Sequence, residues 1–206
     1  MSDGPRVALT LDAEHPDRPL CPPGNAERLL DALGEASIRV TFFVQGRWAT
    51  AHPDLARRIG SEGHRVGLHS KYHARMTLFS DAGLERDVVE GQAEVAETTG
   101  CDPRPWFRCP FDDGHDDPRV QAALERLGYR DVSWNVAAED WEPDRTPEAV
   151  RRDTVRGALA HGDGAVVLLH TWPGPTGRAL PLILQDLRAS DVRFVTLDQL
   201  EPEQLP

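Results

Sequence analysis

Apolar residues fall along this chain in two alternating patterns. Short runs rich in Val, Leu and Phe, such as VALTL (7–11), TFFV (41–44) and AVVLL (165–169), have the length and composition of strands covered on both faces. Strands are predicted over 6–12, 39–44, 65–68, 106–108, 131–135, 165–170 and 193–196. Between them apolar positions recur at helical spacing, which predicts helices over 25–36, 48–60, 80–98, 117–127, 146–160 and 176–189. Thr146-Pro147-Glu148 carries an N-cap, a first-turn proline and a first-turn acid, the signature of a helix start. Asp117 stands in the same relation to Pro118. Strands and helices alternating through short connections predict an α/β fold with a parallel sheet, in a single domain over residues 6–200. Periodicity does not separate an open sheet from a barrel. Strand ends decide for the barrel, because several chemistry-bearing segments sit at C-terminal strand ends, where barrel active sites are built.

Five such segments occur in order: TLDAEH (10–15), HSKYH (69–73), FRCPF (107–111), EDW (139–141) and LLH (168–170). In HSKYH the two histidines are four apart, so that on one helical turn both imidazoles reach one metal ion, with Ser70 placed to orient a ring. In TLDAEH the alternation of a strand puts Thr10, Asp12 and Glu14 on one face. Two carboxylates then approach the same space, one suited to ligate a cation and the other to accept a proton. His170 ends a buried strand, and an imidazole held at a site mouth suits a general acid. Arg108 is placed to pair with a catalytic carboxylate, and Asp140 to tune a histidine. Each segment alone also fits a structural role: a solvated acidic turn running into Pro16, a structural histidine, a surface ion pair. The acidic stretch Asp112, Asp113, Asp116 and Asp117 reads as a loop and a helix cap, and His115 stands close enough in sequence to the site to be watched.

Composition narrows the partners. A net charge of -11 argues against nucleic acid and anionic membranes, and Lys71 is the only lysine among 23 basic residues. Three cysteines without metal-ligand spacing imply reduced thiols. The chain passes from MSDGPR straight into its first strand with no signal-peptide pattern, so a cytoplasmic location is expected.

These segments, together with GHRVGLHSKYH (63–73) and the ending VRFVTLDQL (192–200), resemble the polysaccharide deacetylases, metal-dependent carbohydrate esterases that include chitin and peptidoglycan deacetylases. The resemblance implies a distorted (β/α) barrel of about seven strands and removal of N- or O-acetyl groups. It makes Asp12 the base, His69 and His73 metal ligands, Arg108 the residue orienting the base, and Phe111 the donor of an oxyanion-hole N–H. Asp140 becomes the partner of the general acid His170, and Trp141 a wall of the acetyl pocket. Trp141 and Trp172 are also candidate sugar-stacking platforms. Where the common family pattern has adjacent aspartates, this chain has Ala13 after Asp12. Glu14 is then the third ligand, as in relatives with an acid two positions after the base, and the same-face argument supports it independently. One divalent ion is expected, zinc first, with cobalt, nickel or manganese as alternatives. The expected substrate is an acetylated sugar or oligosaccharide. The alternatives are a small non-sugar amide or cyclic ureide, or a metal-free carbohydrate-binding relative with no activity.

Overall fold

The structure, a computed structural model, describes residues 4–15 and 21–206. The turn that the sequence places at Pro16 lies outside the described residues. The chain packs as two compact units. One comprises the described parts of Met1–Leu11 and Arg18–Thr41 with Trp134–Pro206; the other comprises the described part of Asp12–Asp17 with Phe42–Ser133. The first strand, β1 (Arg6–Ala13), contributes residues to both and is buried from Val7 onward.

In the first unit β1 pairs in parallel with β8 (Arg193–Phe194), Arg6 opposite Arg193. On its other side follow β7 (Ala165–His170) and then β6 (Val136–Ala137), the last two parallel with Val136 opposite Val167. All six residues of β7 are buried, as the unbroken apolar run requires, and the strand delivers His170 at its end. Helices α1 (Asn25–Ala36), α6 (Pro147–His161) and α7 (Gly174–Ala189) complete the unit. α6 starts as its sequence dictates: Thr146 accepts from the Ala149 N–H at 3.2 Å, with Pro147 in the first turn.

In the second unit the strand order is β5 (Arg130–Asp131), β4 (Trp106–Phe107), β3 (Arg65–Leu68), β2 (Thr41–Val44) and the end of β1. Leu68 is opposite Phe107, and Phe107 opposite Asp131, both in parallel ladders. Its helices are α2 (Gly46–Ala51), α3 (Pro53–Ser61), α4 (Asp81–Thr99) and α5 (Pro118–Arg126). Asp117 caps α5, accepting from the N–H groups of Arg119 and Val120 at 2.9 and 3.1 Å.

Two predicted elements differ from those observed. The helix over 48–60 is two helices, α2 and α3, parted at His52–Pro53. A residue before proline is driven out of the helical region, and His52 stands at φ -128°, ψ 59°. The strand over 131–135 is reduced to β5, and pairing resumes only at β6. The carbonyls of Val132 and Ser133 accept from the buried Arg108 guanidinium at 3.0 and 2.9 Å. Asn135 instead bonds Val166 twice, its N–H to the Val166 carbonyl at 3.1 Å and its side-chain oxygen to the Val166 N–H at 2.8 Å. Among the described residues no helix is long and apolar enough to cross a membrane.

Candidate metal centre and a buried histidine–aspartate pair

The second unit gathers Asp12, Glu14, His69, His73 and Arg108. Strand alternation carries Asp12 and Glu14 to the same side, and both approach one histidine. His69 Nε2 lies 3.1 Å from Glu14 Oε2 and 3.6 Å from Asp12 Oδ2. His73 Nε2 contacts the same Glu14 Oε2. The opposite nitrogen of His69, Nδ1, is 2.8 Å from the Arg108 carbonyl, which fixes Nδ1 as the protonated nitrogen and leaves the Nε2 lone pair for a ligand. Ligand atoms of Glu14, His69 and His73 lie within 4.8 Å of one another, and all three residues are buried. Two imidazoles and a carboxylate so placed fit zinc or another borderline divalent cation.

Electrostatics differ between the two histidines. Burial alone lowers the pKa of His69, but facing Asp12 and Glu14 and the bond to the Arg108 carbonyl outweigh it, so the pKa is raised. Burial prevails at His73, whose pKa is lowered despite Glu14. Arg108 is fully buried. Its Nη1 holds Asp12 Oδ1 at 2.9 Å, and its guanidinium carbon lies 4.1 Å from the centre of the Phe43 ring. With Oδ1 taken by the arginine, Asp12 keeps Oδ2 on the histidine side.

The HSKYH segment reaches this geometry by a route other than the helical turn that its spacing predicts. It is an irregular loop in which Ser70 and His73 both stand at φ 56°. Side chains take the backbone donors that a helix would pair internally. Asp87 of α4 accepts from the N–H groups of Lys71 and Tyr72 at 3.0 and 3.2 Å, and Ser70 Oγ accepts from His73 N–H at 2.8 Å. Ser70 therefore holds the loop, while the ring of His69 is oriented by Arg108. Gly91 lets α4 come this close: a Cβ there would stand 3.0 Å from Lys71 N and 3.1 Å from Ser70 C. Burial pushes the Asp87 pKa up, against the bonds it accepts from the loop.

Phe111 stands at φ 60° with its ring edge-on to His73 at 4.5 Å. The ring is about half exposed, and the Arg75 guanidinium lies 4.9 Å from its centre. His115 pairs with Asp131 at 2.9 Å, and the other oxygen of Asp131 accepts from Cys109 N–H at 2.9 Å, so His115 braces the chain after β4 and takes no place among the ligands. Asp113 of the acidic stretch accepts from Thr77 N–H and Oγ at 2.9 and 2.7 Å. Among the described residues that stretch forms no second group with metal-ligand geometry.

The first unit holds His170, at the end of β7, against Asp140. His170 Nδ1 is 2.7 Å from Asp140 Oδ1, and Asp140 Oδ2 accepts from the His170 backbone N–H at 2.9 Å and from Thr176 Oγ at 2.6 Å. The carboxylate is buried, and it fixes Nδ1 as the donor, so that Nε2 is the nitrogen able to exchange a proton. Trp141 packs edge-on to His170 with centroids 5.3 Å apart; Trp172 lies at 6.0 Å and is buried. Asn25 ties down the chain after His170, donating from Nδ2 to the carbonyls of Thr171 and Pro173 at 2.8 and 3.0 Å.

Sequence reasoning passed over two residues here: Asp87 and Asn25. Asp87 left a trace, an acid on the buried stripe of α4 that includes Leu84, Val88, Gly91 and Val95. Asn25 reads from sequence as an ordinary helix start.

Residues 2–132 match the model of the polysaccharide deacetylase family, well over half of the chain. The chain belongs to that family. It is 32% identical over 200 residues to a peptidoglycan N-acetylglucosamine deacetylase of Listeria monocytogenes, covering 97% of this chain and 40% of that protein. This chain thus spans well under half the length of that relative. Among solved structures, a family 4 carbohydrate esterase from Streptomyces lividans in complex with acetate is 29% identical with a TM-score of 0.78, over 91% of this chain and 90% of the other. A deacetylase designated T48, with substrate, is 28% identical with a TM-score of 0.81, over 95% and 90%. The chain shares their fold, and its alternating parallel strands and helices are the α/β arrangement read from the sequence.

Proposed function

We propose that this protein is a deacetylase that removes acetyl groups from an N- or O-acetylated carbohydrate with the help of one divalent ion, zinc, held by Glu14, His69 and His73. The observation that carries this reading is the buried Glu14–His69–His73 group with the Asp12–Arg108 pair beside it. When bound, the ion polarises the acyl oxygen and makes water a stronger acid.

The remaining chemistry belongs to the chain. Asp12 accepts the proton of the attacking water at Oδ2, its other oxygen being held by Arg108. Phe111 offers its backbone N–H to the oxyanion as negative charge develops on the acyl oxygen. His170 gives a proton from Nε2 to the departing amine or alcohol. Asp140 orients the ring and stabilises its charged form without itself taking the proton. Trp141 and Trp172 border the acetyl group or the sugar. Glu14 supplies the third ligand that Ala13 cannot, and this favours an active enzyme over a metal-free binding relative.

The test is Asp12→Asn on the full chain, with acetate release and bound metal measured on the same sample. Turnover should fall by about 10²-fold or more while zinc content stays at the wild-type level, since a proton acceptor is lost and three ligands remain. Zinc lost with turnover would make Asp12 a ligand and reverse its role with Glu14. Run on acetylated oligosaccharides, acetamides and cyclic ureides, the same assay separates sugar from non-sugar substrates.

A further inference from the structure

A carboxylate that orients a histidine must keep its own plane fixed, because its rotation decides which oxygen meets the ring. Asp140 is held on both oxygens. Oδ1 takes His170 Nδ1 at 2.7 Å, while Oδ2 accepts from His170 N–H at 2.9 Å and from Thr176 Oγ at 2.6 Å. Two of these bonds come from the residue being oriented. The third comes from outside, from the first turn of α7. A hydroxyl has one proton to donate, and Thr176 gives it to Asp140.

Thr176 is seated firmly enough to serve as a reference point. It is fully buried, and its own N–H donates to the Pro173 carbonyl at 3.1 Å. Asn25 of α1 donates from Nδ2 to that same carbonyl at 3.0 Å and to the Thr171 carbonyl at 2.8 Å. Beside Thr176, Gly177 lets α7 close on the start of α1, since a Cβ there would stand 2.2 Å from Asn25 Oδ1. The start of α1 thus fixes the start of α7, and α7 reaches the carboxylate that meets His170.

We propose that Thr176 is a positioning residue for His170: its hydroxyl sets the rotation of the Asp140 carboxylate, so that Oδ1 stays on Nδ1 and Nε2 remains the nitrogen that delivers the proton. The inference rests on the general-acid reading of His170 given above.

The experiment compares wild type with Thr176→Ser, Thr176→Val and Thr176→Ala in the full-length, zinc-loaded chain, together with His170→Ala and Thr176→Val/His170→Ala. Each is assayed as kcat/KM on an N-acetylated oligosaccharide, whose amine needs a proton to leave, and on an activated phenyl acetate, which does not. Zinc content and melting are recorded on the same samples. The His170 tautomer is read by nitrogen NMR of histidine-labelled protein, its signals identified by their loss in His170→Ala. Serine keeps the hydroxyl and loses volume, valine keeps the volume and loses the hydroxyl, and alanine loses both. Thr176→Val and Thr176→Ala should each lose about 10- to 100-fold on the sugar amide. Both should change little on the phenyl ester and show the Nε2–H tautomer in place of part of the Nδ1–H form. Thr176→Ser should stay close to wild type. In the His170→Ala background Thr176→Val should cost little more, since the ring it acts through is gone. Serine impaired with valine intact, equal loss on both substrates, an unmoved tautomer, or an undiminished loss in the His170→Ala background would each overturn the proposal while leaving the general acid standing. If valine does not fold, the serine–alanine pair decides, and alanine no worse than serine overturns the proposal. Equal damage to both substrates in His170→Ala would overturn the general-acid reading itself.

Discussion

At the scale of single residues, two histidines play opposite parts. His170 is bound through Nδ1 to Asp140, and the general-acid role proposed for it would matter in proportion to how badly the leaving group needs a proton. His170→Ala should therefore slow acetamide hydrolysis by about 10²- to 10⁴-fold and leave an activated phenyl acetate much less affected. Equal damage to both substrates, measured as kcat/KM, would remove the role. His115 has a structural task. Its bond to Asp131, the largest influence on it, raises its pKa, with burial acting the other way. A pKa raised in the folded state stabilises the protein fully below the unfolded value, about 6.5, and the contribution is lost as pH rises through the folded value. Urea unfolding should show His115→Ala more destabilised relative to wild type at about pH 6 than at about pH 9. A pH-independent difference would mean that the Asp131 pairing contributes through its geometry alone.

At the scale of elements, the loop after β3 that carries His69 and His73 is held by α4, and Gly91 is where that dependence can be tested. Alanine is the better helix former by about 1 kcal/mol, so on propensity alone Gly91→Ala stabilises. Its Cβ, however, would press on the backbone of Ser70 and Lys71, and overpacking against backbone costs about 1–3 kcal/mol. The second effect is the larger, so the variant should melt lower and bind zinc more weakly. A higher melting temperature with unchanged zinc affinity would show that the loop has slack. The same contact explains what the sequence could and could not reveal. The ends of β1 and β7 were legible, because unbroken apolar runs deliver Asp12 and His170 to strand ends, and so were the caps at Asp117 and Thr146, because capping is local. The conformation of HSKYH was not legible. An i, i+4 histidine pair reads as helix when only local spacing is considered, whereas the left-handed Ser70 and His73 are imposed by Asp87, which lies far along the chain. The short β5 was hidden for the same reason, its following carbonyls being claimed by Arg108.

At the scale of the whole molecule, the charge of -11 acts on every approaching substrate before any contact is made. An acetylated sugar that carries a carboxylate is repelled; a neutral acetylated oligosaccharide is not. Screening separates the two cases, because the Debye length shrinks from about 30 Å at 0.01 M salt to about 8 Å at 0.15 M. Over that range KM for the carboxylate-bearing sugar should fall several-fold while KM for the neutral sugar stays flat, with kcat unchanged for both, since the field acts on encounter and the chemistry takes place among buried groups. Arg75 and Arg119, in the same unit as the candidate metal ligands, are paired with Asp113 at 3.3 Å and Asp81 at 3.1 Å, so the net charge sets the expected sign. A KM for the anionic sugar that rises with salt would mean that local arginines steer it in against the net charge, and that carboxylate-bearing glycans are favoured substrates.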